Sequence, residues 1–459
     1  MITRRLHFLF FLFLIYSCST KHQPTETITP VAEEPKVKQE LKAGEITATV
    51  ICENNSSLSY ALYLPKNYSV AEKFPVIIFF DPHGSGSYPV GLYQSLAEKF
   101  GYILVGSHNA KNGLQYEQTN EIVSGLIAEC GSRFSTDKKR ISLAGFSGGS
   151  KVALEGASYH PELLSVIYCG AAIPFDNINS LPPALGFAGV KDMNYTEVMS
   201  SGTALDEKKI VHAVIEWKGK HEWPDTVSFE DAFYWCNFNA IRNKLIATDQ
   251  NLIKVFLQKK NKLIASSANM LSLQNNYNQL IVFLQGVTDV SAYSKKMNSL
   301  IRSEKYNADL RKQQAVLQME SSLKQNYLDC FQTKDLNWWQ EEISRMRSLK
   351  TGEHEMMYQR LLGYISLASN SYSNNAIKQN NYPAARQFLA IYKLADPENP
   401  DQPYLTACMY ARQGDQGKAI SALQESIQLG FKDKGKIQNE ESFSILRGNP
   451  EYNKLLAGL

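Results

Sequence analysis

The stretch Gly145-Phe146-Ser147-Gly148-Gly149 constrains the fold of this chain more than any other. It follows the apolar run Arg140-Ile141-Ser142-Leu143-Ala144, which reads as a short buried strand. It precedes Ser150-Lys151-Val152-Ala153-Leu154-Glu155, which reads as helix. A Gly-x-Ser-x-Gly turn between strand and helix leaves room for a strained reversal that lifts the serine hydroxyl above the sheet edge. The helix that begins there points free N–H groups, that of Gly148 first, at any negative charge developing nearby. Glycine-rich turns also occur where a helix only packs closely on a sheet, so the rest of the chain has to decide.

The flanking sequence predicts a mostly parallel α/β sheet over residues 45–248. Residues 46–51 and 58–64 alternate apolar and polar positions, as an opening pair of strands does. Residues 75–80, 102–106, 141–144, 164–169, 184–189 and 214–217 are short apolar runs of the kind buried on both faces. Residues 117–134 have helical spacing. Strands alternating with helices point to a parallel sheet.

The strand ends carry the residues with chemistry. After Phe80 comes Asp81-Pro82-His83-Gly84-Ser85-Gly86, a loop whose backbone N–H groups, at Gly84 and Ser85, are candidates to join that of Gly148 in holding an oxyanion. Asp192 follows the run ending at Gly189, where an acid would fix a histidine tautomer; a helix cap is the plain alternative. His221 lies in the loop after the last strand. His160 precedes Pro161 at a helix end, His212 sits within a polar-to-strand transition, and His108 comes before the serine, so none fits a base as well.

Taken in order, Ser147, Asp192 and His221 resemble the triad of the α/β-hydrolases. Tyr60-Ala61-Leu62-Tyr63-Leu64-Pro65 with Tyr68, Asp137-Lys138-Lys139-Arg140-Ile141, and His221-Glu222-Trp223-Pro224 resemble the branch similar to polyhydroxybutyrate depolymerases and feruloyl esterases. The resemblance covers about 200 residues. It implies hydrolysis of small-molecule or polymer-linked carboxylic esters through an acyl-enzyme, with no cofactor. Asp81-Pro82 departs from that branch, which has leucine before the histidine. A carboxylate there disfavours an oxyanion unless it points away. The loop of residues 172–183 is too short for a lid, which predicts an open site unless the second half covers it.

Residues 1–17 have the pattern of an export signal: Arg4 and Arg5, then an apolar run too short to span a bilayer. Ile15-Tyr16-Ser17-Cys18 resembles a bacterial lipobox, with Tyr16 bulkier than usual. That implies lipid on Cys18, a membrane-anchored envelope protein, and a flexible tether over residues 18–44 rich in Pro, Thr, Glu and Lys. Loss of Arg4 and Arg5 lowers the formal charge of +3 to about +1, which is no nucleic-acid footprint. The cysteines after Cys18 are widely spaced with no Cys-x-x-Cys pair, which argues against zinc; export permits disulfides, and buried free thiols fit as well.

Residues 249–459 lose glycine and proline and read as helices, with helical spacing at 280–284 and 297–319 and a burial expectation for Trp338 and Trp339. Over residues 365–430 a period of 34 emerges: Ala385 pairs with Ala419, Leu389 with Leu423 and Asn381 with Asp415. With Asp396-Pro397-Glu398-Asn399-Pro400 this resembles tetratricopeptide repeats, although Tyr392 and Thr406 depart from the pattern. Such arrays bind protein partners on a concave face; this one has the alternative of packing on the first domain. A peptidase of the same fold, and a silent envelope scaffold acting through its helices, remain the other two readings.

Overall fold

The structure is a computed structural model that describes residues 40–459 except 350, 351 and 353. The export signal, Cys18 and most of the tether lie outside the described residues. Residues 41–459 form one compact unit.

Eight strands make one sheet: β1 Ile46–Ile51, β2 Ser59–Tyr63, β3 Phe74–Phe80, β4 Ile103–Ser107, β5 Thr136–Phe146, β6 Ser165–Cys169, β7 Ala184–Gly189 and β8 His212–Trp217. Their order is β1-β2-β4-β3-β5-β6-β7-β8. Pairings β1–β2 and β2–β4 are antiparallel; the rest are parallel. Strands β3, β5, β7 and β8 therefore end at the same edge, where open α/β sheets place their ligands. The central strands are buried along their full length, which is why they read as continuous apolar runs. With its helices this is an α/β-hydrolase fold.

Helices α1 Ser87–Phe100, α2 Tyr116–Arg133, α3 Gly148–Tyr159, α4 Tyr195–Glu207 and α5 Thr226–Arg242 cover the sheet. One face packs on α2, α3 and α4 through Ile122, Leu126, Val152, Leu154 and Val198. The other packs on α1 and α5, where the Tyr93 and Phe229 rings stack at 3.9 Å between centroids. Each such large side chain contributes about 1.5–3 kcal/mol by leaving water.

The helical half begins with α6 Gln250–Ala265 and α7 Met270–Leu284. Their Phe256, Leu280 and Phe283 belong to the same core as α5. Lys260, fully buried on α6, donates to Asp231 of α5 at 2.7 Å and to Gln279 of α7 at 2.8 Å, so its charge is compensated. Helices α8 Ser291–Ile301, α9 Glu304–Thr333, α10 Leu336–Ser348, α11 Glu355–Lys378, α12 Tyr382–Ala395, α13 Asp401–Arg412 and α14 Gln416–Gln428 follow, then short helical turns to the end. The helical pattern read over 297–319 is interrupted, because the Ser303 hydroxyl accepts the Tyr306 N–H and caps a new helix. Trp339 is fully buried against Phe331, while Trp338 is half-buried. The positions paired at a spacing of 34 occupy equivalent places: Asn381 and Asp415 cap α12 and α14, and Ala385, Ala419, Leu389 and Leu423 are all buried.

Among the described residues the six cysteines are buried and free. Burial pushes the Cys52 thiol up to about 12 and raises Cys169 as well. We expect these six thiols to resist an aromatic disulfide reagent in the native protein and to react together once it is unfolded, a check made by absorbance with and without denaturant. No helix among the described residues is long and apolar enough to cross a membrane, and no His, Cys, Asp or Glu group there is arranged to hold a metal.

Candidate active site

Strand β5 ends at Phe146, and Ser147 sits in the turn before α3 with φ 52° and ψ −120°. A non-glycine residue at positive φ costs of order 1–3 kcal/mol and persists only where its surroundings impose it. Here two glycines make it feasible. A Cβ at Gly145 would collide with the Gly149 carbonyl, and one at Gly149 would collide with the Phe80 carbonyl. The turn is therefore pressed against the end of β3, and Ser147 N–H is held by the Cys169 carbonyl of β6 at 2.9 Å.

The three side chains picked from the sequence order meet. His221 Nε2 lies 2.9 Å from Ser147 Oγ, and His221 Nδ1 lies 2.9 and 3.0 Å from the two Asp192 carboxylate oxygens. Asp192 is 2 % exposed and also accepts the Asn194 N–H at 2.8 Å. With Nδ1–H donating to Asp192, Nε2 is free to accept the Ser147 hydroxyl. The Phe146 ring lies 4.8 Å from the imidazole and supports one side of it. The parallel register explains the meeting: β5, β7 and β8 release these residues at one edge although 74 positions separate Ser147 from His221.

Gly148 opens α3, where its N–H has no intrahelical acceptor. Gly84 and Ser85 are placed differently. Gly84 N–H donates to the Asp81 carbonyl at 3.1 Å, and the cleft beside Ser147 is bordered by Pro82 and His83 instead. The other histidines lie elsewhere. His108 lies within hydrogen-bond distance of the Gly84 and Ala48 carbonyls, His160 of Ser124, and His212 of the Ile210 carbonyl.

Asp81 is 4 % exposed and does not line the cleft. Its carboxylate accepts the His83 N–H at 2.9 Å and the Trp223 indole N–H at 3.0 Å. It thereby ties the loop after β3 to the loop that carries His221. Burial alone would raise its pKa, but the hydrogen bonds from His83 and Trp223 outweigh it and hold the carboxyl below its ordinary range. A depressed folded-state pKa stabilises the fold above the unfolded carboxyl range and loses that contribution as pH falls through the folded value. We expect Asp81→Asn to cost about 1.5–3 kcal/mol at neutral pH. In urea titrations across pH, its gap from the parent should close below about pH 4.

The site is not open. The loop of residues 172–183 makes no lid, but the helical half supplies the facing wall of a cleft of about 1470 Å³, with Arg347, Leu362, Ser366, Asn370, Tyr404 and Lys436 among its lining. Ordinary small-ligand pockets hold about 300–1,000 Å³.

Contacts across this boundary also reach the Asp192 loop, and nothing in the local sequence signalled them. Arg360 of α11 donates through Nη1 to the Val190 carbonyl at 2.9 Å and through Nε and Nη2 to Glu320 of α9 at 2.9 and 2.6 Å. Lys324 of α9 donates to the Met193 carbonyl at 2.8 Å and pairs with Glu320 at 2.8 Å. Glu320 is fully buried and Arg360 nearly so. The guanidinium also lies 4.6 Å from the Tyr195 ring centre.

No family model and no curated protein matches this chain. Solved structures similar to it include an S-formylglutathione hydrolase from Agrobacterium tumefaciens, 16 % identical with a TM-score of 0.36, over 44 % of this chain and 97 % of that one. An esterase from Pyrobaculum calidifontis is 12 % identical with a TM-score of 0.36, over 45 % and 88 %. An esterase from Lactobacillus rhamnosis is 13 % identical with a TM-score of 0.38, over 44 % and 89 %. The strand order and the serine turn after β5 make the part from β1 to α5 an α/β-hydrolase fold, followed by an all-helical region.

Proposed function

We propose that this protein is a serine hydrolase that cleaves carboxylic esters. The observation that carries the reading is the unbroken hydrogen-bonded chain from Asp192 through His221 to Ser147, with the serine held at positive φ on a sheet edge.

In this mechanism His221 Nε2 takes the Ser147 proton as Oγ attacks the ester carbonyl. Asp192 holds the imidazole in the tautomer that can accept and stabilises the imidazolium that forms. Gly148 N–H faces the developing oxyanion, and such a donor is worth about 3 kcal/mol. The loop of residues 81–85 is the place for a second donor. His83, which borders the cleft, serves there by exchanging its N–H bond to Asp81 for one to the substrate. Collapse expels the alcohol, which takes its proton from His221, and His221 then activates water to free the acid.

The size of the cleft favours a substrate longer than a simple ester, extended from Ser147 along α11 and α13. The export signal and Cys18 support a bacterial envelope protein anchored by lipid. A fatty-acid probe incorporated into the parent and not into Cys18→Ser tests that part. The helical array has the further role of holding a protein partner, a part tested by whether its own face retains one when Ser147 is replaced.

Reaction with a fluorophosphonate probe, beside a panel of ester and peptide substrates, tests the enzyme. Labelling with ester turnover supports the reading. Peptide cleavage alone moves it to a peptidase of the same fold, and a folded protein that neither labels nor turns over is a scaffold.

A further inference from the structure

Three lysines line the cleft that holds Ser147, each on a different loop at the same sheet edge. Lys111 follows β4 and pairs through its backbone with His83. Lys191 directly precedes Asp192, and Lys220 directly precedes His221. All three line the cleft with Ser147 and His221, and all three are exposed to it. No aspartate or glutamate lines that wall.

Among the described residues their ammonium groups have no hydrogen-bond or ion-pair partner, whereas Lys99, Lys259, Lys260 and Lys324 are all paired with carboxylates. Asp192, next to Lys191, is bound to His221, and Glu222, near Lys220, accepts the Lys220 backbone N–H at 3.3 Å; neither lines the cleft. The acids that do line it, Asp396, Glu398, Asp401, Asp433 and Glu440, all come from the helical wall, and two of them are held by several neighbours there. Asp396 accepts from Ser366 and Asn399, and Glu440 accepts from Tyr404 and Ser442. Like charges left unpaired around one opening raise the local potential, and the walls of a cleft focus it. Folding gains nothing from this arrangement, because none of the three ammonium groups is paired with a carboxylate among the described residues.

We propose that these lysines form an anion subsite, so that the preferred esters carry a carboxylate or phosphate-type group close to the scissile carbonyl. The inference rests on the hydrolase reading of Ser147 and names the substrate class for that site. Lys191 and Lys220 flank Asp192 and His221 in the chain, so an anion held between them is brought up to the reacting serine. The helical wall opposite mixes acids with Arg347, Lys378, Arg412 and Lys436, so the uncompensated positive charge lies on the side of Ser147.

The test compares p-nitrophenyl hydrogen succinate with its neutral methyl ester, and with the counterpart in which a phosphonate replaces the carboxylate. The full-length protein is set beside Lys111→Gln/Lys191→Gln/Lys220→Gln. The reading is the ratio of kcat/KM for anionic over neutral ester, in which any general loss of activity cancels. Three partly exposed charges are expected to give the parent a ratio of about tenfold, falling to about twofold in the triple variant. In about 1 M salt, where screening acts within about 3 Å, the parent ratio should fall the same way. The carboxylate and phosphonate arms tell which anion is preferred. A parent ratio near one, or a preference that survives in the triple variant, overturns the proposal. Calorimetric binding of the same three esters to Ser147→Ala reads the subsite without turnover. Tighter binding of the anionic esters there, with no turnover by the parent, leaves the subsite standing and removes only the hydrolase reading.

Discussion

Ser147→Ala folds like the parent and loses ester turnover by roughly 10⁶-fold in kcat, the loss seen when a serine nucleophile is removed from a working triad. The fold is spared because alanine keeps the Cβ already present at φ 52° and removes only one oxygen. That oxygen is bonded to His221, which is half-buried and still held by Asp192. Asp192→Asn should cost about 10⁴-fold, because an amide no longer selects the tautomer that leaves Nε2 free to accept. The two measurements belong together. A loss at Ser147 with a much smaller loss at Asp192 identifies a nucleophile oriented by its base. Full activity in either variant removes the triad from the mechanism. Circular dichroism and a urea midpoint near the parent's exclude unfolding as the cause.

The second large effect concerns the helical half. Glu320→Ala leaves the Arg360 guanidinium buried with no carboxylate, and breaking such a pair costs about 3–5 kcal/mol. The effect reaches the active-site edge, because Arg360 and Lys324 hold the Val190 and Met193 carbonyls on either side of Asp192. We therefore expect the urea midpoint to fall and kcat to fall with it, with KM less affected. The double variant Glu320→Leu/Arg360→Met separates the two consequences. Replacing both charges with apolar groups restores part of the stability, since a buried ion pair is costly to desolvate, while Lys324 loses Glu320 and keeps its bond to the Met193 carbonyl. The double variant cannot restore the bond to Val190. A stable double variant with reduced kcat shows that the helices position Asp192. A stable double variant with parental kcat shows that the Glu320–Arg360 pair serves packing alone.

This dependence gives a physical reason for the helical half to be continuous with the sheet. Helices α6 and α7 complete the apolar face over α5, and α9 and α11 brace the Asp192 loop. The helical chain is thus both the wall of the cleft and part of what keeps its floor in register.

Much of this was legible in the sequence. The strand runs, the glycines around Ser147 and the order of Ser147, Asp192 and His221 all follow local rules. Burial on two faces writes a continuous apolar run, and a forced turn writes glycine. The caps Asn381 and Asp415 were legible as a spacing for the same reason, since a cap acts on the N–H groups of its own first turn. Where a local rule failed, a local competitor won: Ser303 broke one apparent helix in two.

The tertiary structure alone decided the rest. The helical wall over Ser147 arises from residues that a lid-sized loop would otherwise supply. Trp223 meets Asp81 across 142 positions, and Arg360 meets Val190 across 170. No period or turn signal links such pairs, because the energy that joins them comes from compensating buried charge and polar groups wherever packing brings them together. The lysines at 111, 191 and 220 were likewise three unrelated surface residues until the parallel sheet delivered their loops to one edge. The sequence determined which residues are candidates for chemistry and where along the chain the strands that present them lie. The packing of distant segments decided what surrounds that chemistry, because burial and charge compensation act between neighbours in space and leave no trace in neighbours along the chain.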